Sequence, residues 1–86
     1  MTSIEEVKLY LAASLADTEQ AAVAIAGVVD QLDQGIMRLR LVTLGSVHPK
    51  VEETITRLEQ AKSQLRQAQA VVRGANEAAE AYRSTI

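Results

Sequence analysis

The sequence predicts an all-α protein: an antiparallel helical hairpin of two long helices that pairs with another hairpin into a four-helix bundle dimer. Three observations predict it. Apolar residues recur every three or four positions through the first forty residues. They recur every seven through the last thirty-six. Between them lies one short break rich in helix-stopping chemistry. The chain has 86 residues, enough for one small domain, with 48 % hydrophobic residues but only two Tyr, no Phe and no Trp. A core of such a chain is built from Ala, Val, Leu and Ile, and 14 of its residues are Ala. One Pro and four Gly are too few turn formers for a many-stranded fold.

The first helix is expected over residues 4–44. Ser3 and Glu6 have the spacing of a capping box, in which a side chain satisfies a free amide at the helix start. From there Val7, Leu11, Leu15, Ala22, Ile25, Val29, Leu32, Ile36 and Leu39 fall on one face, with Thr18 as its single polar member. Gly27 and Gly35 interrupt the pattern. They mark a close helix contact, a kink or a tolerated defect, and a helix ended at Gly35 would make a three-helix bundle instead. The turn is expected at 45–48. Gly45 can take the left-handed conformation that ends a helix, and Pro49 suits the first position of the next. A residue before proline is pushed out of helical geometry, so His48 belongs to the connection and helps start the second helix.

The second helix is expected over 49–84. Val51, Leu58, Leu65, Val72, Ala79 and Ile86 recur every seven residues, and Thr54, Ala61, Ala68, Ala75 and Tyr82 stand three residues after the first five. That reads as a heptad seam with large side chains in one column and mostly Ala in the other. The predicted packing surface sets Ile25, Val29, Leu32, Ile36 and Leu39 against Leu58, Leu65 and Val72.

Two helices touch along one seam, yet residues 21–29 are apolar on every side, and Ile36, Met37, Leu39, Leu41, Val42 and Leu44 crowd toward the turn. So much apolar surface implies an interface, and symmetric dimers are the commonest closed solution. The expected partner is a second copy or a related hairpin; the alternative is a monomeric hairpin with exposed Ala and Val. Charge is polarised as well. Up to Met37 there are six acids and one base, and from Arg38 to Arg73 seven bases and three acids. That places a basic half near the turn and an acidic half at the open end, which suits head-to-tail packing or a complementary partner.

Chemistry is not predicted. His48 is the lone histidine, without a triad partner or metal-ligand spacing. There is no Cys and no phosphate-binding glycine loop. The expectation is a non-enzymatic protein with no catalytic residues, no metal, no cofactor and no small-molecule substrate. A net charge of −2 and the absence of aromatics outside Tyr10 and Tyr82 argue against nucleic acid as a partner. The longest uncharged run, Gln20 to Val29, is ten residues, half of what a membrane span needs. The first residues are acidic where a signal peptide is basic, so the chain is expected to be cytoplasmic as synthesised, with export lacking a cleaved signal left open.

Gly45-Ser46-Val47-His48-Pro49 between two Ala-rich helices, with Ala79-Glu80-Ala81-Tyr82 near the end of the second, resembles actinobacterial small helical-hairpin proteins and toxin N-terminal regions. More distantly the chain is similar to the small helical-hairpin substrates of type VII secretion. Those carry Trp-x-Gly in the turn, where this chain reads Leu44-Gly45-Ser46, and an acid four residues after the tyrosine, where Tyr82 is followed by Ile86. The resemblance covers the whole chain and implies a dimerising adaptor or delivery module for an effector. A second reading is an immunity or antitoxin-like binder that holds a basic partner through the acidic first helix.

Overall fold

A computed structural model describes residues 3–45 and 48–86, so Ser46 and Val47 of the predicted turn lie outside the described residues. The described residues form two helices, α1 (Ile4–Val42) and α2 (Pro49–Thr85), that run antiparallel as a hairpin. At its start α1 is capped by Ser3, whose hydroxyl accepts from the Glu6 N–H at 3.1 Å, with Glu5 and Glu6 placing negative charge at the positive end of the helix dipole. It runs through Gly27 and Gly35 without a break, so Gly35 does not end a helix and no third helix forms among the described residues. Nor does either glycine admit a close neighbour. A Cβ built at either meets nothing within 4 Å, which leaves both as tolerated low-propensity positions in the hairpin.

The end of α1 comes at Val42, two residues before the predicted 44. Thr43 is the C-cap: its N–H and its hydroxyl both bond back to the Leu39 carbonyl, at 3.1 and 2.5 Å, and its backbone leaves helical geometry there (φ −106°, ψ 12°). Gly45 follows with φ +80°, a conformation available to glycine at little cost. His48 is the N-cap of α2. It is extended, as a residue before proline must be, and its Nδ1 accepts from the Lys50 N–H at 3.1 Å. Pro49 opens the helix where its missing N–H costs nothing.

The result is a rod of 65 × 19 × 14 Å with a radius of gyration of 19.5 Å. A compact 86-residue domain would have a radius of about 12 Å. The core is correspondingly thin. Among the described residues the buried apolar side chains are Ala22, Val29 and Ile36, all on α1 and seven residues apart.

Candidate association surface

The seam is held by polar ties as much as by apolar contact. Lys62 is buried, and its ammonium pairs with the Asp33 carboxylate of α1 and, at 3.2 Å, with Glu59 one turn earlier on its own helix. Gln69 donates from Nε2 to the Ala22 carbonyl at 2.9 Å. Thr18 donates from Oγ1 to Asn76 Oδ1 at 2.5 Å, while Asn76 Nδ2 is buried without a partner. Arg40 reaches Glu59 at 3.4 Å on the exposed rim.

These ties fix which residues of α2 face inward, and they correct the predicted companion column. Apart from Glu59 and Ala61 at its margins, the half-buried or buried positions on α2 are Val51, Ile55, Leu58, Lys62, Leu65, Gln69, Val72, Asn76, Ala79 and Arg83. The second column thus stands four residues after the first, not three. Thr54, Ala68, Ala75 and Tyr82 face solvent, and Ala61 is half-buried at the margin. Lys62, Gln69 and Asn76 win the seam because each has a partner on α1 that alanine cannot offer.

Of the residues expected to pack, Val29 and Ile36 are buried, and Ile25, Leu32, Leu39, Leu58, Leu65 and Val72 are half-buried. The turn residues Gly45, His48 and Pro49 are exposed. Lys62, Gln69 and Asn76 were not foreseen in the seam. Their seven-residue spacing was visible, but polar side chains on a helix normally mark the wet side.

The electrostatics of the Asp33–Lys62 pair follow from its geometry. The hydrogen bond from Lys62 holds the Asp33 carboxyl below its ordinary value, with partial desolvation working against it and the charges of Lys62 and Arg66 reinforcing it. Lys62 is held above its ordinary value, first by the bond to Asp33 and then, after the opposing cost of desolvation, by Glu59.

Much apolar surface stays uncovered. Leu9, Val23, Met37, Leu41 and Leu44 are each more than half exposed, as are Val42 and, on α2, Val71. Tyr10 and Tyr82 are 71 % and 52 % exposed at the open end, where both rings are reachable by a partner. A shallow groove of about 410 Å³ lies in the open half, lined by Leu15, Glu19, Arg73, Asn76, Glu77 and Glu80. Its charges are of both signs. Among the described residues no cluster of His, Asp or Glu is arranged to hold a metal ion, and no helix is long and apolar enough to cross a membrane.

Comparison with protein-family models, curated proteins and solved structures found no match for this chain.

Proposed function

We propose that this chain is a non-enzymatic association module, a hairpin that assembles with a second copy or a related hairpin into a four-helix bundle. In the setting implied by its resemblance to actinobacterial hairpins, it acts as an adaptor or delivery hairpin for type VII-like export of a larger effector. One observation carries the association reading. The hairpin exposes 6441 Å² of surface, whereas a folded monomer of 9.3 kDa exposes about 5,000 Å². The surplus comes with Leu, Val and Met side chains in water.

The test is the solution mass by light scattering across micromolar concentrations. A dimeric mass is expected, and a monomeric mass throughout would overturn the reading. Leu65→Asp, which puts a charge into the seam, should abolish both helicity and assembly. A variant that kept both would show that Leu65 is outside the packing surface.

The acidic α1 favours one rival, an immunity or antitoxin-like binder of a basic effector. Glu5, Glu6, Asp17, Glu19 and Asp30 are all exposed along it. Capture of a cationic protein that is released in 1 M salt would support the rival. A salt-resistant homodimer would oppose it.

A further inference from the structure

Each helix can be read as columns that take every seventh residue. Four of these columns carry no charged side chain, although the chain has nine Lys and Arg and eleven Asp and Glu. On α1 they run from Ile4 to Leu39 and from Val7 to Val42; on α2 they run from Val51 to Ile86 and from Thr54 to Tyr82.

Their placement follows from the ties already described. Asp33, Arg40, Glu59 and Lys62 link the helices along one side of the hairpin. The neutral columns of α1 lie on the flank of its buried stripe away from Asp33 and Arg40. Those of α2 lie on the flank away from Lys62 and Glu59. Helix geometry therefore gathers all four on the opposite side, two from each helix. Burial agrees. The inner columns, represented by Ile25, Leu32, Leu58 and Leu65, are half-buried, closed on the seam side and open on the other. In the outer columns Ala21, Val28, Val42, Ala68 and Ala75 are exposed. A core that continues beyond the hairpin has this gradation.

We infer that this neutral face is where a second copy of the chain docks, antiparallel to the first, closing the bundle. The inference rests on the association reading above and goes further by naming the face and the orientation. Area and charge both select a second copy. The surplus of about 1,400 Å² exceeds the roughly 800 Å² that each partner hides in a stable complex. A face without charges offers nothing to an anionic membrane or a strongly basic protein. Around it, the turn-proximal half of the rod, residues 25–68, carries six bases and five acids and the open half three bases and six acids, so the acidic open half faces the other copy's near-balanced turn half only if the two rods run in opposite directions. A parallel pair would set like charge against like.

The experiment uses the full chain and compares Ala68→Glu and Ala75→Glu, on the face, with Val23→Lys, an exposed apolar position off it. Because these side chains are exposed in the hairpin, circular dichroism should show helicity retained in all three. Sedimentation equilibrium should show the dimer weakened at least about tenfold by either face variant, through a charge left unpaired in the interface, and unchanged by Val23→Lys. A dimeric wild type that Val23→Lys dissociates while Ala68→Glu and Ala75→Glu do not would overturn the face and leave the association reading intact. A monomeric wild type would sink both. Orientation is read from a spin label on Val42→Cys, which is free of competing thiols because the chain has no Cys. In the antiparallel dimer the labels stand roughly 55 Å apart, from about 1.5 Å per residue to the middle of α1. A separation under roughly 25 Å would mean a parallel pair and refute the orientation.

Discussion

Lys62 sits in the seam with its ammonium between the carboxylates of Asp33 and Glu59, and that placement ties the register of the hairpin to pH. Asp33 titrates below its unfolded value of 3.8 because Lys62 stabilises the ionised form. Its contribution to stability is therefore complete above that value and is lost as pH falls through the lower, folded value. Lys62 titrates above 10.5, so its share is complete below that value and is lost only as pH rises through the higher, folded one. The pair is thus intact across the neutral range and opens first in acid. Asp33→Asn should melt below wild type at pH 7, and the difference should shrink as pH drops below about 4. Thermal melts followed by circular dichroism from pH 7 to pH 2 measure it; a difference constant over that range would mean that Asp33 contributes through shape and not through charge. Asn76 is the weaker tie. Its unpartnered Nδ2 leaves a buried donor unsatisfied in the same column where Lys62 meets two carboxylates.

At the level of the helices, the ends of α1 and α2 were readable because their causes are local. Ser3 accepting from Glu6 N–H, Gly45 at positive φ and Pro49 at a helix start each depend on a few adjacent residues. The inward face of α1 was readable for a similar reason, since Ala22, Val29 and Ile36 repeat within a single periodic run. The second column of α2 was not. Whether Lys62, Gln69 and Asn76 face in or out is decided by Asp33, the Ala22 carbonyl and Thr18, all on the other helix. Periodicity finds columns but does not say which neighbour each one meets, and here the alanine column yielded to the polar one. The glycines test what surrounds each element. Gly27 and Gly74 lie off the neutral face, with nothing within 4 Å of an added Cβ. Gly27→Ala and Gly74→Ala should each raise the free energy of unfolding by about 1 kcal/mol in urea titrations. Gly35 belongs to the outer neutral column of α1, so Gly35→Ala should gain less once a second copy packs there. Equal gains at all three positions would count against that packing.

The whole molecule is a rod whose thin core and wide uncovered sides point the same way. The three buried apolar side chains among the described residues are little to hold such a chain against the entropy of its unfolded state, so burial between copies should supply part of the stability. Stability that comes from assembly follows mass action, and stability that comes from within one chain does not. A hundredfold dilution of a two-state dimer costs about 2.7 kcal/mol per dimer. Spread over the unfolding entropy of two such chains, that lowers Tm by roughly 5–10 °C. Melting curves recorded from about 100 μM to about 1 μM should therefore move by that amount, and should keep moving in 1 M salt, because the proposed face is held by apolar contact and not by the screened charges around it. A Tm independent of concentration would mean that the rod is stable alone, with its apolar sides tolerated in water. In that case the polar ties of the seam, Lys62 foremost, would carry more of the fold than the neutral face does.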